Sequence, residues 1–276
     1  MSQEKIDTPA FSLEKFNPDE NEWQFVYSSE LNPLIAQFDQ VAKDLTPENA
    51  ETALKLFDAL KKQLPQYIDL YNLIALIHIW RKEYEEAIET IETCLDQSKQ
   101  LFPEDFFNEQ PLVEWSIKSN RPFLSCLSKL GICLCYTGRY RDAIDIFEQL
   151  MMMNPQDHLG VRNLLLWVYL KEEWLSAAKD LCVFYKDDTL PSLSYGDALI
   201  LYKQGNLEQA AQQLSTACEF YPAIAEKLLE TKVEHFHKDF FTLFENPDDA
   251  QVYVNNYGIF WHATEGALGL LEKVFK

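Results

Sequence analysis

The side chains best suited to chemistry in this sequence are its five histidines. His235 and His237 form a close pair in the run His235-Phe236-His237. On a helix, residues two positions apart point to different faces, so this pair is poorly placed to share a metal ion. One functional hypothesis is an enzyme whose site in the C-terminal segment uses His235, His237 and His262. The spacing of His235 and His237 therefore does not indicate a metal site.

The six cysteines lie in apolar stretches, and no two of them form a Cys-x-x-Cys pair. Buried free thiols are therefore expected. The sequence contains no glycine-rich phosphate loop and no nucleophile-elbow motif. Carboxylate pairs such as Glu85-Glu86 and Asp187-Asp188 fall at expected helix starts or turns, where they complement the helix dipole or face solvent. We predict a protein with no catalytic residues, no metal and no cofactor.

The net charge of the chain disfavours some classes of binding partner. The 276 residues include 44 acidic and 24 basic ones, which gives a net charge of −20. Such a surface repels phosphate backbones and anionic headgroups, so neither a nucleic acid nor a membrane is an expected partner. The apolar runs are too short to cross a bilayer, and residues 1–5 do not open a leader sequence. These features predict a soluble, cytoplasmic, acidic protein.

The elements that position these residues repeat along the chain. Five alanines in similar surroundings are separated by 34, 56, 34 and 33 residues. Three of these separations match a helix-pair repeat of about 34 residues, and the longer one indicates an insertion. The alanines are Ala53, Ala87, Ala143, Ala177 and Ala210.

The repeat from Leu124 to Asp157 shows the pattern most clearly. Gly131 and Ala143 are small residues where two helices can approach closely, and Gly138 suits the left-handed turn that ends the first helix. This unit resembles the tetratricopeptide repeat (TPR). The resemblance implies an all-α fold, in which antiparallel helix pairs form a right-handed superhelix.

Three segments are predicted. Residues 1–33, rich in proline and aromatic residues, form an extended N-terminal arm. Residues 34–222 form a TPR-like solenoid of about five repeats, with an aromatic and acidic insertion at 97–122 that includes a short helix near 109–117. Residues 223–276 form a helical module that caps the last repeat. The insertion either contacts a partner or covers a repeat edge.

The C-terminal part carries a second resemblance. Tyr221-Pro222 is followed by Leu228-Leu229, by Asp248-Asp249-Ala250 at a helix start, and by Glu265-Gly266-Ala267-Leu268. Over about residues 100–272 the chain resembles TPR proteins of the suppressor-of-tumorigenicity type and their bacterial relatives. The resemblance implies a helical scaffold without catalytic residues.

The first helix of each repeat is expected to line a groove for a partner. The leading hypothesis is a protein–protein interaction scaffold or adaptor whose groove takes an apolar or basic segment of another protein. Alternatives are an acidic chaperone for a secreted or aggregation-prone client, and a subunit whose groove is filled by its own kind. The groove could also be filled by the arm or the insertion. The predicted groove residues are Asn72, Trp80, Lys129, Tyr136, Arg162, Asn163, Tyr169, Tyr195 and Tyr202.

Overall fold

The computed structural model describes residues 10–104, 106–232, 235 and 238–276. These residues form two β-strands and fourteen α-helices, joined in places by short 3-10 turns. The strands are β1 (Phe11–Asn17) and β2 (Glu22–Tyr27). The helices are α1 (Asn32–Lys43), α2 (Ala50–Lys61), α3 (Ile68–Trp80), α4 (Tyr84–Lys99), α5 (Arg121–Tyr136), α6 (Tyr140–Met153), α7 (Val161–Lys171), α8 (Leu175–Phe184), α9 (Pro191–Lys203), α10 (Leu207–Phe220), α11 (Pro222–Glu230), α12 (Phe240–Glu245), α13 (Ala250–Ala263) and α14 (Ala267–Phe275).

The same tight turn joins the two helices of four successive pairs. A residue with positive φ follows the first helix each time: Lys82, Gly138, Glu173 and Gly205. In this left-handed conformation the chain reverses while the last carbonyls of the first helix still find backbone donors. The backbone N–H after Gly205, for example, bonds the carbonyl of Leu201 at 2.9 Å. The recurring helix pairs confirm the predicted all-α, TPR-type fold class.

Small residues are buried where paired helices approach. Ala75 of α3 and Ala87 of α4 are both fully buried, and Ala198 of α9 and Ala210 of α10 are buried in the same way. In α8 the buried alanine is Ala178 rather than the predicted Ala177, which is half-buried. The repeat register there is shifted by one residue.

The chain is divided into two compact units. The first contains the described residues up to Gly138 together with Glu148–His158, and the second contains Arg139–Phe147 and Leu159–Lys276. Helix α6 therefore contributes its first half to the second unit and its second half to the first. No helix in the described part of the chain combines the length and the apolarity that a bilayer crossing requires.

In the first unit, the described part of the expected extended arm is a β-hairpin. β1 and β2 pair antiparallel, and the turn between them carries Pro18 in a 3-10 turn and Asn21 in the left-handed region. Alternating aromatic side chains of β2 are buried, among them Trp23 and Phe25. Aromatic residues at every second position of this short segment indicate a β-strand, and the predicted extended arm did not take this alternation into account.

The insertion packs on this hairpin. The Trp23 N–H donates to the Leu112 carbonyl at 2.8 Å, and the Leu112 N–H donates to the Asn21 carbonyl at 3.0 Å. Phe106 is buried with its ring 5.3 Å from that of Trp23, edge to face. The expected helix near 109–117 is not formed, because the backbone there pairs with the hairpin; 3-10 turns lie on either side of it.

In the second unit, α11–α14 follow the two helix pairs α7–α8 and α9–α10. α13 packs against α11, α9 and α7, and α14 packs against α10 and α11. α13 starts at an N-cap, because the Asp249 carboxylate accepts from the Val252 N–H at 2.9 Å. These helices bury Tyr253, Tyr257 and Trp261, so the segment is part of the core of this unit.

Candidate functional site

In the first unit, two of the predicted groove residues contact each other. The Lys129 ammonium on α5 donates to the side-chain carbonyl of Asn72 on α3 at 2.8 Å. Burial lowers the pKa of Lys129, because removal from water disfavours the charged form. Both side chains thus hold α3 to α5.

The other two predicted residues of this unit lie at helix ends. The Tyr136 ring at the end of α5 stacks on Tyr84 at the start of α4, with centroids 4.3 Å apart. Trp80 at the end of α3 is 37% exposed. Aromatic side chains therefore lie at the C-terminal ends of α3 and α5 and at the start of α4.

In the second unit, the predicted groove residues make internal contacts. The Arg162 guanidinium pairs with Asp188 at 2.7 Å and lies over the Tyr185 ring. Tyr169 is buried and its ring lies 6.2 Å from that of Trp174. Tyr202 donates its hydroxyl to the Glu265 carbonyl at 3.0 Å.

The remaining two, Asn163 and Tyr195, are fully buried. The Asn163 backbone carbonyl accepts a hydrogen bond from the Tyr257 hydroxyl on α13. Tyr195 lies with its ring 5.6 Å from Tyr253 of α13 and donates its hydroxyl to the Tyr221 carbonyl at 2.8 Å. Neither residue is available to a partner, and the expectation that they line an open groove is corrected here.

Helix α13 is the element that buries Asn163 and Tyr195. It lies on the faces of α7 and α9 that we expected to line the groove, and the Trp167 indole donates to the Asn256 carbonyl at 2.8 Å. The sequence left open whether the groove is empty or is filled by the arm or the insertion. In the second unit it is the C-terminal module that covers these faces.

A cleft opens beside α13, in the same unit. It has a volume of about 460 Å³ and is walled by α7 on one side and α13 on the other. That volume falls within the range of sites that bind small ligands or a few side chains of a peptide. Its lining residues are Tyr140, Trp167, Leu170, Lys171, Glu173, Lys238, Asn255, Ile259, Phe260 and Ala263.

The floor of the cleft is apolar. Trp167, Leu170 and Phe260 are buried with one face toward it, and Ile259 is 39% exposed on α13. Ile259 is exposed, while its neighbours on α13, Gly258 and Phe260, are buried. An exposed aliphatic side chain next to a concave apolar floor is typical of a contact surface.

Two lysines line the rim. The Lys238 ammonium lies 5.7, 5.6 and 5.4 Å from the ring centroids of Tyr140, Trp167 and Phe240, and it donates to the Tyr140 hydroxyl at 3.3 Å. The Lys171 ammonium, at the C-terminal end of α7, lies 5.7 Å from the Tyr140 ring. Aromatic faces attract such cations, so the rings hold both charges at the rim.

Within the described ranges, neither Lys171 nor Lys238 forms an ion pair. Glu173, the acidic residue of the cleft lining, is instead paired with Lys203 at 2.9 Å. The cleft is therefore a locally cationic site in a chain of net charge −20.

The sequence did not identify the cleft residues as a site. Tyr140 lies within the repeat predicted from Leu124 to Asp157, and Lys238 lies within the predicted module 223–276. Trp167 and Asn256 are 89 positions apart, and no local pattern predicts that α13 will lie on α7. An available signal was Ile259, an aliphatic residue at an exposed position of a strongly aromatic helix.

The candidate catalytic residues of the sequence do not form a site among the described residues. No group of three or more histidine, cysteine or acidic side chains is placed to hold a metal ion there. His262 contacts the Leu228 carbonyl at 3.2 Å through Nε2, and His237 lies outside the described residues. All six cysteines are buried free thiols, as predicted. Burial raises the pKa of Cys133 and of Cys182 to about 12, which keeps these thiols protonated and poorly nucleophilic.

Solved structures with a similar fold include proteins described as TPR or TPR-like. YrrB, described as a TPR protein with an unusual peptide-binding site, is 17% identical, with a TM-score of 0.51 over 69% of this chain and 86% of its own. A TPR-like repeat protein from a Podosopora anserina kinesin light chain is 13% identical, with a TM-score of 0.48 over 69% and 95%. MamA from Desulfovibrio magneticus is 15% identical, with a TM-score of 0.46 over 75% and 93%. At these identities the likeness to YrrB supports the fold alone.

The sequence also matches a family model. The model described as Tcf25, transcriptional repressor TCF25, matches residues 23–256, which is well over half of the chain. The more specific resemblance to the suppressor-of-tumorigenicity type is not confirmed by this match. No curated protein matches the sequence significantly.

Proposed function

The chain belongs to the Tcf25 family, and on that premise we propose that it works as a protein-binding scaffold that holds a segment of a partner protein in the α7–α13 cleft. The observation that carries this proposal is the cleft itself: an apolar floor with exposed Ile259, open to solvent and rimmed by two lysines. Repeat helices supply a rigid wall on one side, and a rigid site loses little entropy when a partner binds.

The size of the cleft favours a scaffold over a chaperone. A volume of about 460 Å³ accommodates a few side chains of one segment. A chaperone for an aggregation-prone client needs a broad apolar surface that adapts to many sequences. We therefore assign the cleft to recognition of a defined segment.

A second contact region belongs to the proposal. It comprises Trp80, which is exposed, and the half-buried stacked pair Tyr84 and Tyr136 in the first unit. Aromatic side chains of this kind are enriched at the centres of protein interfaces. Of the groove residues predicted from the sequence, Trp80 and Tyr136 are the two that we retain as partner contacts.

The description of the family, a transcriptional repressor, suggests the class of assembly. We propose that the partner is a protein component of an assembly that lowers transcription. The net charge of −20 disfavours direct contact with a DNA backbone, so the chain would act through proteins.

Site-specific photo-crosslinking tests the proposal. A benzoylphenylalanine at Ile259 should crosslink a defined partner in cells, and Ile259→Ser, which removes the apolar side chain without adding charge, should strongly reduce recovery of that partner. The matched control is Phe220→Ser, which changes an exposed apolar residue of the same unit outside the cleft lining and should leave recovery unchanged. Equal recovery by wild type and Ile259→Ser, with unchanged circular dichroism, would contradict the proposal.

A further inference from the structure

We propose that the cleft recognises an acidic segment of the partner, in which glutamate or aspartate side chains flank a bulky apolar residue. This inference rests on the proposed function, because it names the chemistry of the segment that the same cleft would hold. It also revises the sequence-based expectation of an apolar or basic partner.

The cationic rim is the first argument. The Lys171 and Lys238 ammonium groups each lie 5.7 Å from the centroid of the same ring, that of Tyr140, so both can reach carboxylates of one bound segment. Within the described residues neither has a carboxylate partner. Such a site attracts carboxylates and repels a lysine or arginine side chain.

The position of Lys238 is the second argument. Its ammonium lies over three aromatic rings. These contacts hold the charge at the rim and limit the rotamers that the lysine side chain can adopt. A cation that is already placed loses less conformational entropy when an anion binds. Because Lys238 already occupies the faces of Tyr140 and Trp167, a cationic side chain of a partner would have to displace it.

The apolar floor is the third argument. Besides the lysines and Ile259, the lining includes the buried apolar side chains of Trp167, Leu170 and Phe260. A segment consisting of carboxylates alone would leave this surface without an apolar contact. A leucine or phenylalanine side chain between two acidic residues would bury itself against the floor while its neighbours reach the rim.

The charge of the whole chain makes the site selective. A protein of net charge −20 does not attract an acidic segment through its overall charge. Binding then depends on the local lysines and the floor together. Acidic peptides without the apolar residue should bind poorly.

The probe is the peptide Gly-Glu-Glu-Leu-Phe-Glu-Glu-amide, with a carboxylate-free fluorophore joined to its N-terminal nitrogen through an amide bond, titrated by anisotropy with the full chain. The capped ends make glutamate side chains the sole carboxylates. We expect saturable binding, at least tenfold weaker binding of the peptide with glutamine in place of every glutamate, and similar weakening when Leu-Phe becomes Ser-Ser. Preferential binding of the peptide with lysine in place of glutamate would overturn the inference.

Paired variants locate the contact. Lys171→Glu with Lys238→Glu should reduce affinity at least tenfold, and the lysine peptide should then bind better than the glutamate peptide. The control, Lys186→Glu with Lys273→Glu, changes the net charge equally at two exposed residues outside this cleft and should reduce affinity less than threefold. Equal losses in the two double variants would contradict the inference.

The crosslinking at Ile259 separates the two proposals. If Ile259→Ser strongly reduces recovery of the partner while the lysine variant does not, the cleft binds a partner but the acidic class is wrong. If neither variant affects recovery, the proposed function of the cleft is itself wrong.

Discussion

The indole Nε1 of Trp167 donates a hydrogen bond to the Asn256 backbone carbonyl at 2.8 Å, and this bond joins a repeat helix to the C-terminal module. The Asn256 side chain continues the link, since its Oδ1 accepts from the Asp239 N–H at 2.8 Å. One buried residue of α13 thereby positions α7 and the start of α12. These bonds connect α7 and α13, the two walls of the cleft, with the segment just after Lys238 of the rim.

Tyr257→Phe tests how firmly α13 is held on α7. The Tyr257 hydroxyl donates to the Asn163 carbonyl in the core, so its removal should lower the free energy of unfolding by about 1–2 kcal/mol. Tyr202→Phe removes a hydroxyl from an exposed hydrogen bond to the Glu265 carbonyl and should cost less than about 0.5 kcal/mol. Urea unfolding measures both, and equal costs would be inconsistent with a buried bond between the two helices.

Gly205→Ala and Gly269→Ala test the repeat turn. Both glycines have open space where a Cβ would be added, but Gly205 has φ of +83° and Gly269 lies within α14. Alanine is strained in the left-handed region, so Gly205→Ala should destabilise by about 1 kcal/mol. Alanine favours a helix over glycine, so Gly269→Ala should stabilise by about 0.5–1 kcal/mol. Thermal midpoints that move in the same direction would refute this account.

Asp69→Asn tests a pH dependence in the first unit. Burial, with a smaller contribution from Asp39, raises the pKa of Asp69 from 3.8 to about 6. The folded state therefore binds the proton more tightly than the unfolded state, and stability falls as pH rises from about 4 to about 6. Above that range the ionised carboxylate costs up to about 3 kcal/mol, at about 1.4 kcal/mol per pKa unit.

Asparagine cannot ionise, so Asp69→Asn should stabilise the protein clearly at pH 7.5 and much less at pH 4.5. Unfolding in urea at the two pH values provides the measurement. A gain of the same size at both values would show that the charge of Asp69 is not the cause.

Asn120→Ala tests the attachment of the hairpin. Asn120 is buried, accepts from the Phe25 N–H at 3.1 Å and donates to the carbonyls of Trp23 and Glu114 at 2.9 and 3.2 Å. Its loss leaves two buried backbone groups and one part-buried carbonyl without this partner, so we expect a cost of at least about 2 kcal/mol. Faster amide exchange at Phe25 should accompany it.

The control for that variant is Asn49→Ala. Asn49 makes two side-chain hydrogen bonds in an exposed turn, where water can replace them, so its cost should stay below about 1 kcal/mol. A smaller effect of Asn120→Ala than of Asn49→Ala would argue against the role assigned to Asn120.

Local patterns determined the repeat helices. The spacing of Ala87, Ala143 and Ala210, and the glycines at 138 and 205, predicted helix pairs because a close crossing and a left-handed turn each demand a particular residue type. The same reasoning predicted the buried thiols, since apolar neighbours on a helix face lie in the core.

Tertiary structure decided what the helices present to a partner. Asn163 and Tyr195 satisfy the groove pattern, yet α13 covers them. This packing is favourable because it removes the apolar surface of Tyr253, Tyr257 and Trp261 from water. Lys171 and Lys238 are ordinary surface lysines in the sequence and acquire a common site only when both lie beside Tyr140. Helix formation depends on neighbours a few positions apart, whereas the covering of a groove depends on residues about ninety positions away, for which the sequence carries no local signal.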